Sequence, residues 1–527
     1  MSRHIVVLGG GHNGLVCAAY LARAGARVTL LERREILGGA CVTEELWPGY
    51  RVSRAAYVLS LFRPRILRDL RLDRFGLELL PRSPSSLTPL VDGRSLVLGP
   101  DTAMNLEEIG RFSSRDAAMF PHYESFLARI AAAVEPTLDA PPPEWPIRRP
   151  RDLTPWWLAG RAALRLRRDL PRAARLFLAS ARELLEEYFE SEPLRATLAT
   201  DAVIGAFAGP STPGTGYVLF HHVMGSTAGR RGVWAYVRGG MGALTDALAG
   251  AAGAAGAELR TGAEVAGIRT HRGAAAAVLL ASGEEIAADA IVSSADLERT
   301  TRLLDEPALL PEPFVRSLRG IDYRSPVIKM NLALGALPRF RCRDRDPAPL
   351  GGTIHIGPCD LDAIDRAFEQ ARTGDGSECP LVELTIPSVL DDTLAPPGRQ
   401  VASIFAQYAP VLAAGDPGWP ELRSRMRERI LAAVDAVAPG FSGLIEHEET
   451  LVAPDMERIF GLTGGNIFHG AMTPDRLLFM RPVPGWSRYK SPVECLYLCG
   501  AATHPGGGVM GASGRNAARE IARDLRL

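Results

Sequence analysis

The chain lacks most of the features that would place it at once. It has no surplus of either charge, with 60 basic and 60 acidic residues in 527 positions. A nucleic-acid binder is expected to carry a basic excess, so no nucleic-acid partner is expected. No apolar run approaches the ~18 residues that cross a bilayer. The first three residues lead straight into an apolar stretch, which leaves no room for a targeting peptide and predicts a cytoplasmic location. Cysteine is sparse: seven residues, with no CxxC and no metal-type spacing. They are expected as free, mostly buried thiols, Cys495 and Cys499 around "LYL" included. The ten histidines form no HExxH or similar ligand pair, so no metal is expected. The length exceeds what one simple core organises and predicts two or three domains.

What is abundant, and early, is glycine. "HIVVL" (His4 to Leu8) reads as a buried parallel strand. Gly9-Gly10-Gly11-His12-Asn13-Gly14 follows as GxGxxG, then a helix, "LVCAAYLARA", closed by Gly25. A second strand, "RVTLL", ends at Glu32. In this strand–turn–helix–strand–acid order, Gly9 permits the tight turn and Gly11 lets a pyrophosphate approach the backbone. Gly14 lets helix and strand pack closely. The helix N-terminus offers free N–H groups to phosphates, with His12 and Asn13 in its first turn. Glu32 is placed to accept hydrogen bonds from a ribose diol, and its charge disfavours a 2′-phosphate, leaving FAD or NAD. "ERREILGGACV" sets Arg33 and Arg34 beside that acid, with Gly38, Gly39 and Ala40 just downstream. A second glycine pair is a second backbone approach to the same pyrophosphate in many FAD proteins. NAD enzymes have no general need of it, and taken alone it is also an ordinary loop turn.

The far end repeats the pattern. "LYLCG" is a strand ending at Gly500; Gly506 to Gly508, Val509, Met510 and Gly511 follow, then an amphipathic helix, "ASGRNAAREIARDL". The first loop would hold the ADP half of a dinucleotide. The last helix would aim its positive end at the pyrimidine edge of a flavin. The stretches "GGGHNGLVCAAYLARAG", "GGACVTEE", "FHHVMG", "GVWAYVRGGMGALTDAL", "GGNIFHGAM" and "LYLCGAATHPGGGVMGASGRNAA" run from residue 9 to 518. Together they resemble the phytoene desaturase family of FAD-dependent oxidoreductases, most of all a branch named for pyridine nucleotide-disulphide oxidoreductases. Dithiol chemistry is not expected despite that name. Cys17 and Cys41 are not in a redox arrangement, and no second strand–GxGxxG–helix is visible.

The resemblance implies an α/β fold with a Rossmann-like FAD-binding domain of glutathione reductase type. That domain is discontinuous, at 1–70, 228–300 and 455–527. Strand-like runs such as "VIKMNLAL", "GTIHIG", "LVELTI" and "QVASIFAQYA" predict an antiparallel-sheet substrate domain, drawn from 71–105 and 301–454. Residues 106–227 read as a helical cap broken at "PPPEWP". The basic, aromatic run from Pro155 to Phe189 is compatible with peripheral membrane contact, with a packed cap and with a homodimer face.

The resemblance further implies non-covalent FAD and hydride removal from a small, hydrophobic organic substrate to flavin N5. The product gains C=C or C=N, and O2 or a quinone takes the electrons. An amine oxidase-type or saturase reaction, or a flavin-bound scaffold without turnover, stays open. The backbone of Val265 would meet the adenine. Lys329, in "SPVIKMNLAL", is the first catalytic candidate, by analogy with a strand lysine that holds a water near N5 in the related amine oxidases; the alternative is a lysine at a solvated sheet edge. His504 is the second, beside the flavin if the C-terminal loop is, or otherwise a loop brace. His221, His222 and His469 read as structural, and Tyr57 as cavity lining or core.

Overall fold

The structure is a computed structural model that describes residues 2–147, 150–227, 229–343 and 348–527. Strand His4–Leu8 forms because Ile5, Val6 and Val7 are β-branched and find burial on both faces; all three are fully buried. It lies at the centre of a five-stranded parallel sheet. The order is Glu258–Arg260, Arg27–Leu31, His4–Leu8, Ala290–Ser293, Leu496–Leu498. Strands from the two ends of the chain thus share one sheet. Helices His12–Arg23, Gly242–Ala254 and Ala512–Leu525 share one apolar core with it. Two glycines make this packing tight. A Cβ on Gly14 would lie 2.1 Å from the Gly9 carbonyl oxygen, and one on Gly514 would lie 2.1 Å from that of Asn13. A three-stranded antiparallel sheet, Val265–His271, Ala274–Leu280 and Glu285–Ala287, follows the third parallel strand in sequence.

A second large sheet has seven strands: Ile445–Leu451, Ile328–Leu334, Gln400–Gln407, Leu381–Thr385, Thr353–Ile356, Ser86–Pro89 and Ser95–Leu98. It is mixed rather than purely antiparallel, because the early hairpin Ser86–Leu98 joins its edge with Ser86–Pro89 parallel to Thr353–Ile356. One face is apolar. Ile328, Met330, Leu384 and Ile404 pack on Met426, Ile430 and Val434 of helix Trp419–Val437. On the opposite face the register aligns Lys329, Phe405, Glu383 and His355 in one row, and Asn331, Ser403, Thr385 and Thr353 in the next. Successive strand residues point to opposite faces, so these mostly polar rows share the face turned away from that helix.

Between Thr102 and Val223 the described chain is helical, with Ser114–Leu138 as the longest helix, capped by Ser113. No helix of the described residues is long and apolar enough to cross a membrane.

Candidate active site

Two cavities abut where these layers meet. The first, of about 350 Å3, lies at the C-terminal end of strand His4–Leu8, where ligands bind in open parallel sheets. Gly9, Gly11, His12, Asn13, Glu32, Arg33, Arg34, Gly39, Ala40 and Val265 all line it, as does Arg299, which sequence reasoning missed. Helix His12–Arg23 begins at Gly11 with no side-chain cap, so its first N–H groups face the cavity unclaimed. The Glu32 carboxylate is buried and held by two main-chain N–H groups. Oε2 accepts from Gly10 at 2.8 Å and Oε1 from Arg34 at 3.0 Å. Arg33 donates to the carbonyls of Arg458 and Ile459, and Arg34 to Glu44, leaving Arg34 Nη1 buried without a partner.

Gly14 and Gly38 act from beneath the lining. Gly38 N–H donates to the Gly10 carbonyl at 2.8 Å, and its φ of 126° requires glycine. Gly500 packs with no room for a Cβ, which would lie 2.3 Å from the Ser294 carbonyl oxygen. The Met510 carbonyl accepts from Arg63 N–H, and Gly511 starts the last helix at φ 69°. Gly500, Met510 and Gly511 therefore shape the loop without lining either cavity, whereas Gly508 and Val509 line the second.

That second cavity, of about 430 Å3, shares His12, Ala40, Leu462, His469 and Ala501 with the first. The sheet's polar face roofs it with Thr353, His355, Glu383 and Phe405; the helices close it with apolar side chains such as Phe120, Leu127 and Leu198. Tyr57 lines it and donates to Glu383 Oε2 at 2.7 Å. Burial pushes the carboxyls of Glu383 and Asp201 up to about 7, and holds His355 and His12 down at about 3. His222 and His469 line the cavity too, both with lowered pKa through burial. His221 instead bonds the Gly507 carbonyl through Nε2 at 3.0 Å.

Neither catalytic candidate lines either cavity. Lys329 is not at a solvated edge: it is fully buried, one strand in from the sheet's margin. Its ammonium does not line the cavity either. Nζ donates to Asn331 Oδ1 at 2.5 Å and Ser403 Oγ at 2.6 Å, with the Tyr57 ring centroid 5.6 Å away. Desolvation lowers its pKa to about 7. His504 also lies outside both linings. Its ring is buried against helix Ser114–Leu138, with Nε2 3.2 Å from the Thr137 carbonyl, so it braces the loop. The thiols are free, but three of seven are buried and two, Cys359 and Cys379, are exposed in loops flanking sheet strands. The Cys17 thiol, buried beside Cys499, is raised well above its ordinary pKa, the reverse of a reactive thiolate.

An uncapped helix start, a Gly11 whose Cβ space is left open, and an adjoining chamber fit a dinucleotide that reaches from the first cavity toward the second. Residues 14–335 match the family described as flavin containing amine oxidoreductase. The chain belongs to that family. As a member it is an FAD-dependent oxidoreductase. It is 46% identical, over 99% of its length and 93% of the relative's, to the Mus musculus pyridine nucleotide-disulfide oxidoreductase domain-containing protein 2. It is 29% identical to the phytoene dehydrogenase of Streptomyces griseus, over 98% of this chain and 95% of that one. Among solved structures, wild-type putrescine oxidase bound to putrescine superposes with a TM-score of 0.62 at 16% identity, covering 100% of this chain and 99% of that one. The expected resemblance to flavin oxidoreductases thus holds across the whole length.

The residues that sequence reasoning missed carry the second cavity: Arg82, Asp201, His355 and Glu383. For two of them a signal existed, since a lone His355 in "TIHI" and a lone Glu383 in "LVELT" interrupt apolar strands. Arg82 and Asp201 sit in segments with no such contrast.

Proposed function

We propose that this flavoenzyme removes hydride from a carbon of a largely apolar substrate, forming C=C or C=N, with O2 or a quinone as the final acceptor. The observation that carries the reading is the junction of two cavities, one built from glycine backbone and the other from apolar side chains under a polar roof. FAD, when bound, supplies the two-electron acceptor. The discontinuous parallel-sheet unit of 1–70, 228–300 and 455–527 would hold it. Gly11, His12, Asn13 and Gly39 would face the pyrophosphate, Glu32 and Val265 the adenosine, and Gly508 and Val509 the ring. The seven-stranded sheet and the helical layer would enclose the substrate. Loss of hydride from one carbon leaves a proton to be shed. Glu383 is suited to take it, because its carboxyl is buried, poised near neutrality and fixed by Tyr57.

An amine is the second reading, favoured by the family's description. The guanidinium of Arg82 in the same chamber opposes a cationic substrate. Exposed Trp145, Trp156, Trp157, Leu164 and Leu178, among nine arginines and two acids between Trp145 and Leu178, support contact with an anionic membrane surface that delivers apolar molecules. The direct test is anaerobic bleaching of the flavin by a panel of apolar alkenes, acids and amines. Bleaching by members of the panel, slowed in Glu383→Gln at unchanged flavin content, is expected. Reduction by NADPH alone, with no response to any carbon donor, would contradict the proposal.

A further inference from the structure

Arg82 is only 3% exposed, yet it lines the second cavity. Its main-chain N–H donates to the Trp234 carbonyl, and Nη1 donates to Thr353 Oγ1 at 2.7 Å. Beyond that its guanidinium meets only Tyr236 and the Trp234 ring among the described residues, with no anionic partner. Nε has no partner, and among the described residues no carboxylate oxygen comes within the 4.0 Å of an ion pair. Other deeply buried arginines are committed. Arg63 is held by Asp139 and Glu135, Arg488 by Asp152 and Glu520, and Arg481 by main-chain carbonyls. A buried cation without a partner is costly, so a group that completes it is expected from outside the chain.

The surroundings say what that group is. The guanidinium carbon lies 5.3 Å from the Tyr236 ring centroid and 6.0 Å from that of Trp234. Aromatic faces hold the guanidinium and leave its N–H edge for a planar acceptor. A further buried atom near it, His355 Nδ1, makes no hydrogen bond, and a neutral imidazole nitrogen can donate. Glu383 and Asp201 feel the Arg82 charge but form no ion pair with it. Glu383 Oε2 is already engaged by Tyr57, and burial raises both carboxyls to about 7 against the pull of Arg82, so neither is a full counter-charge. The remaining lining, with Leu98, Phe120, Leu127 and Ile204, is apolar.

We propose that Arg82 anchors the carboxylate of an amphipathic organic acid whose apolar body fills the chamber, and that this is the enzyme's substrate class. Arg–carboxylate pairing is bidentate and directional, so the anchor also sets which carbon of the apolar body reaches the end shared with the first cavity. The inference rests on reading the second cavity as the substrate chamber.

The test uses the flavin-loaded protein and three probes of one chain length: decanoate, decanol and decylamine, titrated by calorimetry and by perturbation of the flavin spectrum. Decanoate is expected to bind at least tenfold more tightly than decanol, with decylamine weakest. Arg82→Gln should lower decanoate affinity on the order of ten- to a hundredfold while leaving decanol unchanged. Arg82→Lys, which keeps the charge and loses the fork, should fall between. Flavin content and thermal unfolding are read on the same samples. If Arg82→Gln fails to fold, the head-group order on the parent and the Arg82→Lys result remain decisive. Decanol or decylamine binding the parent as tightly as decanoate, or full decanoate affinity in folded Arg82→Gln, overturns the anchor. A protein that binds decanoate but takes up no FAD would instead overturn the oxidoreductase reading.

Discussion

Two glycines three residues apart separate holding the cofactor from holding the fold. Gly14→Ala places a methyl carbon 2.1 Å from the Gly9 carbonyl oxygen, 0.9 Å short of the 3.0 Å that real Cβ atoms keep. The first helix must move off its strand. Overpacking of this kind costs about 1–3 kcal/mol, offset by up to ~1 kcal/mol of alanine's helix preference over glycine. The flavin-free protein should therefore lose stability, by up to about 2 kcal/mol after a full offset. Gly11→Ala is different. Gly11 has φ −70° and ψ 168°, open to any residue, and the nearest atom to its new methyl is Gly39 Cα at 4.0 Å. The flavin-free protein should change by less than ~0.5 kcal/mol. The methyl would instead occupy the space through which phosphate approaches the helix N–H groups, costing about a hundredfold in FAD affinity, or ~2.8 kcal/mol at ~1.4 kcal/mol per tenfold. Urea unfolding of flavin-stripped protein and fluorescence titration with FAD measure the two effects separately. Parent-like FAD affinity in Gly11→Ala, or parent-like stability of stripped Gly14→Ala, would refute the reasoning.

Glu32→Gln should weaken FAD by about 1.5–3 kcal/mol through loss of a charged acceptor, read as a higher dissociation constant, and should also lower the stability of the stripped protein, because the amide leaves either the Gly10 or the Arg34 N–H without its acceptor. Glu383, with its folded pKa raised to about 7 from 4.5, contributes stability that is complete below pH 4.5 and lost as pH rises through 7. Across that window the parent should lose stability relative to Glu383→Gln, and parallel curves would show that the carboxyl does not titrate there. Lys329 has the opposite window: its folded pKa is lowered from 10.5 to about 7, so its stability is full above 10.5 and lost as pH falls through 7. Lys329→Met should remove a slope approaching ~1.4 kcal/mol per pH unit between those values while retaining FAD, and an unchanged slope would contradict the burial argument. Co-sedimentation with phosphatidylglycerol vesicles should fall in the double variant Trp156→Glu, Trp157→Glu, whose rings are exposed, and equal sedimentation would count against membrane contact.

The cofactor end was legible because its demands are local. A strand, a glycine turn and a helix N-terminus are written in consecutive residues, and Gly9, Gly11, His12, Asn13 and Glu32 line one cavity. The C-terminal loop was legible as a partner of the first, since Ala290–Ser293 and Leu496–Leu498 continue the same sheet. Side-chain direction was not. His504 stands beside the glycine run in sequence, yet its ring turns to Thr137, a contact across 367 residues. Lys329 was on a sheet strand as read, but nothing in "PVIK" says that Tyr57 lies against its ammonium. The chamber was least legible. Tyr57, read as cavity lining or core, is joined by Arg82, Asp201, His355 and Glu383 from four other segments, and only the fold gives them a common wall.

The central claim is that glycine-lined backbone at one end of the chain and a glycine loop at the other hold one non-covalent FAD. The most direct measurement is the visible spectrum of the purified protein, followed by acid precipitation and mass analysis of what is released. The account predicts a yellow protein that frees FAD, not FMN, into the supernatant at one per chain. A colourless protein that ignores added FAD but binds NAD, or flavin retained in the precipitate, would contradict it.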